Sequence, residues 1–173
     1  MSSVHVLKFR KKWTGEWRGR DAPFVPTPYE AIPIILSLAK PKPGEVLYDL
    51  GCGDGRIIVE AAKRFDVEAV GIEIDPKFID KSRKLAVLSG VRGKVEIIRG
   101  DLKHISLKGA NIVYIYLTAR LHNRLAEKLS KELKRGARVI TYAYPIKGWV
   151  VKQKIEKNGQ RIYLYKIPGS CMT

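Results

Sequence analysis

Three carboxylates that follow one another along the chain are the residues best suited to bind a ligand. Asp49, Glu73 and Asp101 each lie at or just after the end of an apolar segment. Asp49 precedes a glycine loop, and such a loop between a strand and a helix lets backbone N–H groups approach a ligand closely. A dinucleotide-binding fingerprint would require glycine where Arg56 stands, and Asp49 and Asp54 would repel a pyrophosphate. The loop therefore favours a ligand that carries a cation or an amine.

The spacing of the other two carboxylates suits a nucleoside. Glu73 lies about twenty residues past the loop, where a carboxylate can accept both ribose hydroxyls. Asp101 follows a third apolar segment and could accept a hydrogen bond from an adenine amino group. Taken alone, the glycine loop could simply be a tight turn, Glu73 a solvated strand end and Asp101 a turn residue. Together, and in this order, they predict one binding site at the carboxyl ends of three strands, where open α/β sheets bind ligands.

The elements that would position these residues alternate between strand and helix. Five apolar runs predict strands at 46–50, 69–74, 95–98, 112–117 and 139–143. Apolar residues one helical turn apart predict helices after the first strand, after Asp75 and around the leucines 121–133, the last one stopping at Gly136. Such alternation predicts an α/β fold with a doubly wound, mostly parallel sheet and helices on both faces.

Both ends of the predicted sheet carry further signals. Near its beginning, Thr27 and Glu30 have the spacing of a capping box, and Pro33 should kink the following helix or restrict it to a turn or two. At its end, the runs 149–155 and 161–167 are joined through Asn158-Gly159, which suits a type I′ turn. We therefore expect a C-terminal antiparallel β-hairpin.

These motifs resemble those of class I S-adenosylmethionine-dependent methyltransferases. The run 49–55, the triplet 71–73 and Asp101 match that family's cofactor motifs. The resemblance implies a Rossmann-like methyltransferase fold with a seven-stranded sheet and S-adenosylmethionine as the cofactor. It also implies that Gly51 and Gly53 lie beside the methionine portion and Asp49 near its ammonium group, while Glu73 binds the ribose and Asp101 the adenine.

A narrower resemblance covers residues 22–167. The segments 24–28, 48–58, 147–149 and 163–165 are similar to the archaeal broad-specificity protein lysine methyltransferases, whose eukaryotic relatives methylate a lysine of a mitochondrial ATP-synthase subunit. The resemblance implies an archaeal source, and it implies that Thr27 and Tyr29 contact the cofactor, while the composition described below suits a thermophile. The basic segment 1–22 and Pro33 depart from the family pattern.

The acceptor is expected to be the ε-amine of a lysine. Many enzymes that methylate amides and exocyclic amines carry an (Asp/Asn)-Pro-Pro-aromatic motif after the fourth strand, and residues 114–118 contain neither proline nor an acid or amide. A lysine amine has a reference pKa of about 10.4 and must react in its neutral form. A neighbouring sulfonium and desolvation lower that pKa, so a dedicated base is not required. Tyr116 is the candidate catalytic residue, as an aromatic wall for the lysine stem.

Composition bounds the remaining possibilities. Lys and Arg total 33 against 17 Asp and Glu, a formal net charge of +16. This charge fits a nucleic-acid binder, and with three Asn and two Gln it equally fits a heat-adapted surface. An RNA methyltransferase is therefore the alternative to a protein methyltransferase.

The chain is expected to be a cytoplasmic protein built as a basic N-terminal arm, residues 1–22, and one methyltransferase domain, residues 23–173. No apolar stretch reaches the roughly 18 residues of a membrane span, and no secretory signal is evident. Cys52 and Cys171 are too few for a disulfide framework or a zinc site, and the three histidines have no metal-binding spacing. Cys52 is expected to be a packing residue.

Overall fold

A computed structural model describes residues 23–168, so the predicted N-terminal arm and Cys171 lie outside the described residues. The strands are β1 (Val46–Leu50), β2 (Glu68–Glu73), β3 (Val95–Arg99), β4 (Ile112–Ile115), β5 (Arg138–Tyr142), β6 (Gln153–Lys157) and β7 (Gln160–Lys166). The helices are α1 (Ile32–Ala39), α2 (Arg56–Phe65), α3 (Pro76–Leu88) and α4 (Ala119–Glu132). Short 3₁₀ turns occupy Tyr29–Ala31 and Arg92–Lys94.

The strands form one seven-stranded sheet with the order β3-β2-β1-β4-β5-β7-β6. The first five strands are parallel, whereas β7 runs antiparallel to β5 and β6 antiparallel to β7. Asn158 and Gly159 have φ angles of 52° and 75°, so the hairpin turn is the one that their types predicted. The predicted doubly wound α/β sheet with a C-terminal antiparallel hairpin is confirmed.

The sheet is buried on both faces, which is why the central strands β1 and β4 are apolar apart from Asp49. On one face Leu47 and Ile112 pack with α1, α2 and α3. On the other face Leu50 and Val113 pack with the leucines of α4. Because β1 has no exposed residue, Asp49 is buried together with its apolar neighbours. The core thus holds the first predicted site residue at a fixed depth.

Two of three local predictions about the helices were wrong. Thr27 is not an N-cap, because the 3₁₀ turn begins after Pro28 and the Thr27 hydroxyl bonds elsewhere. Pro33 lies in the first turn of α1, where a missing N–H costs no intrahelical bond, and α1 has only eight residues, about two turns, as expected. The last helix ends at Glu132 with an extended Leu133, so Gly136 lies in the turn beyond it.

Within residues 23–168, none of the helices combines the length and the apolar character that crossing a membrane requires.

Candidate active site

A pocket of about 320 Å³ opens at the carboxyl ends of the parallel strands. It brings together six of the eight residues that the sequence predicted for the site, namely Thr27, Asp49, Gly51, Glu73, Asp101 and Tyr116. Its floor comes from β1 and β2, and its cover comes from the segment 23–27 that precedes the first turn. The order of the strands in the sheet explains the convergence, because β3, β2, β1 and β4 are consecutive neighbours.

The glycine loop lies directly against β2. Gly51 and Cys52 both donate their backbone N–H groups to the carbonyl of Ile72, at 2.8 and 3.0 Å. A Cβ atom on Gly71 would lie 2.5 Å from the Cys52 sulfur, so only glycine at that position lets the loop approach the strand this closely. Gly51 has a φ of 82°, in the left-handed region that favours glycine. These glycines shape the loop beside the pocket.

Glu73 fixes the loop from the end of β2. Its Oε2 accepts a hydrogen bond from the Gly53 N–H at 2.9 Å, and its Oε1 accepts from the N–H groups of Ile74 and Asp75 at 2.8 and 3.0 Å. A carboxylate offers about four lone-pair positions, so about one remains for a ligand hydroxyl. Glu73 thus links the loop to the end of β2 and keeps acceptor capacity at the pocket.

Asp49 is a buried carboxylate without a donor. It is 3% exposed, and within residues 23–168 no hydrogen-bond donor contacts its carboxylate oxygens. Burial raises the pKa of Asp49 well above its ordinary value, and the nearby Glu73 and Asp54 raise it further. A positively charged group in the pocket would remove this electrostatic cost. The residues present therefore fit a ligand with a cationic centre beside β1.

Asp101 faces the pocket from the turn after β3. Its Oδ1 accepts the Lys103 N–H at 2.9 Å, and its side chain is about a quarter exposed. The preceding Gly100 donates its N–H to the Glu73 carbonyl at 2.9 Å, which fixes the distance between the ends of β2 and β3. Asp101 is positioned by its own turn, and its Oδ2 lies 4.0 Å from the Lys103 ammonium at the pocket.

The cover segment 23–27 is held by residues that the sequence analysis missed. The Phe24 ring packs on Phe78 at a centroid distance of 4.1 Å and occupies the space where a Cβ of Gly53 would lie, 2.4 Å from the ring. Arg56 forms an ion pair with Asp54 at 2.5 Å and donates to the Thr27 carbonyl at 2.9 Å. In the sequence, Arg56 stands out only because it replaces a fingerprint glycine. Its position two residues after Asp54 is the signal from which the ion pair could have been predicted.

The β4 side of the pocket is aromatic rather than acidic. Tyr114 is the register partner of Asp49 across β1 and β4, and its hydroxyl bonds the Thr27 hydroxyl at 2.7 Å. Tyr116 lies two residues further on and lines the pocket. Its ring packs edge to face on that of Tyr142, with the ring centroids 4.7 Å apart. Both tyrosines line the pocket, Tyr114 as a buried residue and Tyr116 as a partly exposed one.

Tyr29 lies apart from the other predicted site residues. Its side chain is 61% exposed, and its ring lies 4.4 Å from the Arg56 guanidinium carbon. It does not line the pocket, so its contact with the cofactor stays a prediction.

Cys52 and the histidines complete the inventory of reactive groups. Burial raises the pKa of the Cys52 thiol well above its usual value, which keeps it protonated and poorly nucleophilic. Across residues 23–168, no cluster of three or more His, Cys, Asp or Glu side chains is arranged to hold a metal ion.

Sequence comparison finds related proteins over most of the chain. A protein-lysine N-methyltransferase of Saccharolobus islandicus is 39% identical over 84% of this chain and 93% of its own length. An adenine nucleotide translocase lysine N-methyltransferase of mouse is 31% identical over 88% of this chain, which spans 66% of the mouse protein. Both relatives share the region that contains the pocket.

Structural comparison gives a close match as well. The crystal structure of an RNA methyltransferase from Salinibacter ruber, in complex with S-adenosyl-L-homocysteine, superposes with a TM-score of 0.84 at 35% identity. The match covers 86% of this chain and 97% of that one. The family model described as the ANTKMT methyltransferase domain matches residues 49–153, more than half of the chain. The chain therefore belongs to the ANTKMT methyltransferase domain family, and its resemblance to the class I methyltransferases is confirmed.

Proposed function

We propose that this protein is a protein-lysine N-methyltransferase that uses S-adenosylmethionine. The 39% identity to the Saccharolobus protein-lysine N-methyltransferase, over nearly the full length of that relative, carries the proposal. The pocket supports it independently, because one side is acidic and suits a cationic cofactor, and the other side is aromatic and suits an alkyl amine. When bound, S-adenosylmethionine supplies a methyl group whose bond to sulfur breaks as a bond to the acceptor nitrogen forms.

Each carboxylate of the acidic side binds a different part of the cofactor. Asp49 pairs with the ammonium group of the methionine portion, Glu73 with the ribose and Asp101 with the adenine amino group. Gly51 and Gly53 place the loop backbone beside the methionine portion, and Thr27 and Phe24 cover it. Asp49 supports this assignment most directly, since it is buried without a donor and gains a positive partner.

The aromatic side prepares the acceptor. Tyr116 holds the lysine stem and excludes water from it. Desolvation lowers the pKa of the amine, so that the neutral form is more populated than in a free lysine. In-line positioning of the neutral nitrogen then supplies most of the rate. A general base is not required, and Tyr116 acts by contact and orientation.

A labelling experiment tests this function. Purified protein and radiolabelled S-adenosylmethionine are added to an extract of the source organism, and parallel samples are treated with protease or with nuclease. We expect the label to be released by protease and to be recovered as methyl-lysine after acid hydrolysis. A boiled enzyme sample and an Asp49→Asn variant serve as controls. Label that appears in another amino acid would reject the lysine assignment.

An RNA acceptor is the second candidate, and two observations favour it. The Salinibacter ruber structure is that of an RNA methyltransferase, and the chain has a net charge of +16. In this case nuclease would remove the label, and binding to RNA would weaken steeply with salt because phosphate contacts release counterions. Deletion of residues 1–22, the proposed basic arm, would weaken it further.

The finer assignments follow from the same proposal. The substrates are proteins that expose lysines, including this chain itself, which carries many Lys residues on its surface. A cytoplasmic location, an archaeal and thermophilic source, and a single domain over residues 23–173 preceded by the arm agree with the composition. Mass spectrometry of the purified protein after incubation with S-adenosylmethionine would detect self-methylation as mass additions of one methyl group.

A further inference from the structure

The tyrosine at the pocket is part of a larger aromatic group. Tyr116 follows β4, and its neighbour across the sheet is Tyr142, the last residue of β5, with ring centroids 4.7 Å apart and planes at 69°. Tyr144 follows two residues later and is 41% exposed, whereas Tyr142 is 6% exposed. Burial raises the pKa of Tyr116, and the neighbouring Tyr144 raises it further. We call Tyr116, Tyr142 and Tyr144 the tyrosine wall.

The backbone between Tyr142 and Tyr144 makes a tight turn at Ala143, a residue in a strained conformation. Ala143 has a φ of 69°, a conformation that residues with a Cβ seldom adopt. The Tyr144 N–H donates to the Tyr142 carbonyl at 2.9 Å, and the Ala143 N–H donates to the Arg161 carbonyl at 2.7 Å, so neighbouring bonds hold this tight turn in place. Strained backbone of this kind persists where the surroundings impose it, and it is concentrated at functional sites.

A buried histidine holds the turn at residues 142–144 through a hydrogen bond. His122, on α4, is fully buried, and its Nε2 accepts the Leu117 N–H at 3.1 Å. Its Nδ1 therefore carries the proton and donates to the Tyr144 carbonyl at 3.0 Å, an oxygen that also accepts from the Thr141 hydroxyl at 2.8 Å. Burial lowers the pKa of His122, which favours this neutral form. One ring thus ties the end of β4 to the turn after β5.

We propose that the tyrosine wall is the binding site for the acceptor lysine, with His122 as its positioning residue. Tyr144 contacts the lysine stem at the exposed rim and Tyr116 contacts it at the pocket, while Tyr142 supports Tyr116 from behind. The wall begins at the opposite end of the pocket from Glu73 and Asp101, so an acceptor on it approaches from the side that the cofactor leaves open. The inference rests on the proposed lysine methyltransferase function.

The test separates acceptor binding from cofactor binding. The acceptor is a synthetic peptide with one lysine flanked by glycine and glutamate, and methyl transfer is measured at saturating S-adenosylmethionine. For Tyr144→Ala we expect KM for the peptide to rise about tenfold, the size of a lost aromatic contact. The dissociation constant of S-adenosyl-L-homocysteine should stay at its wild-type value. Leu88→Ala, which also removes an exposed apolar side chain but lies at the end of α3, is the matched control.

Two substitutions of His122 separate positioning from folding. Asn places an amide nitrogen near the Nδ1 position and keeps the bond to Tyr144, whereas Gln places its amide oxygen near Nε2 and keeps only the bond to Leu117. We expect His122→Gln to raise KM for the peptide about fivefold and His122→Asn to stay near wild type. Melting temperatures of both variants show whether they fold. A merely structural histidine would lower both melting temperatures without this difference in KM.

The outcomes distinguish the two proposals. If wild-type protein does not methylate the lysine peptide or lysines in the extract, the proposed function fails and the inference fails with it. If wild-type protein methylates lysine while Tyr144→Ala and His122→Gln keep the wild-type KM, the function stands and the tyrosine wall is not the acceptor site. If both variants lose affinity for S-adenosyl-L-homocysteine instead, the wall belongs to the cofactor site, and the inference is again overturned.

Discussion

The two sides of the pocket are built by different means. On the β1–β3 side, Asp49, Glu73 and Asp101 lie at the ends of neighbouring strands, and backbone N–H groups hold Glu73 and Asp101 in place. On the β4–β5 side, Tyr116 and Tyr142 face each other as rings, and no carboxylate lines that part of the pocket in the described chain. The first side selects by charge and hydrogen bonding, and the second selects by shape.

The contrast between an acidic and an aromatic side suits the two ligands of the proposed function, the cofactor and the acceptor lysine. A cofactor that is always the same benefits from fixed carboxylates, whereas lysines on different proteins share only a flexible alkyl stem and an amine. An aromatic surface accepts such a stem without specific partners. Breaking either side should therefore affect one ligand and leave the other unchanged.

Loss of the Glu73 carboxylate should have the largest effect. In Glu73→Ala, three backbone N–H groups lose their acceptor, and under the proposed function the ribose also loses its partner. We expect cofactor affinity to fall by about 3 kcal/mol, or about a hundredfold in dissociation constant, measured by calorimetry. Glu127→Ala, which removes an exposed carboxylate from α4, should change nothing. Unchanged affinity in both Glu73→Ala and Asp101→Ala would show that this pocket does not bind the cofactor.

Cofactor binding should depend on pH through Asp49. Its raised pKa means that the free protein keeps the carboxyl proton to a higher pH than an ordinary aspartate does. A cationic ligand displaces that proton, so affinity should rise with pH, by up to about tenfold per pH unit below the raised pKa. In the free protein the same shift costs stability as pH rises from the ordinary value of an aspartate to the raised one. Asp49→Asn should flatten both profiles. A wild-type affinity independent of pH would separate Asp49 from the ligand's charge.

The hydrogen bond that joins the two sides should have a smaller effect, seen in stability. Thr27 on the cover and Tyr114 on β4 share a buried bond of 2.7 Å. Thr27→Val and Tyr114→Phe should each cost about 1 to 2 kcal/mol, because each leaves the other hydroxyl without a partner. The double variant should cost less than the sum, with a coupling of about 1 kcal/mol in urea denaturation. Additive effects would mean that the bond does not hold the cover on the sheet.

The acidic side was predictable from the sequence, and the aromatic side largely was not. Asp49, Glu73 and Asp101 follow strands that are recognisable as apolar runs, and parallel strands bring their carboxyl ends together. His122 lies on the buried face of a helix, where it has the same spacing as a packing residue. Its role depends on the Tyr144 carbonyl, 22 residues away, which no periodicity reveals.

The smallest expected effect concerns Tyr29, the predicted cofactor contact that lies outside the pocket. Its ring is 61% exposed and contacts the Arg56 guanidinium, an arrangement worth about 0.5 kcal/mol at an exposed site. Tyr29→Leu should therefore change cofactor affinity by about twofold or less, through a slight loosening of Arg56 and of the Thr27 carbonyl that it holds. A loss of tenfold or more, measured beside wild type in the same titration, would mean that the segment 23–29 closes over the cofactor and carries Tyr29 with it. The cofactor side would then also select by shape, and the contrast between the two sides would be weaker.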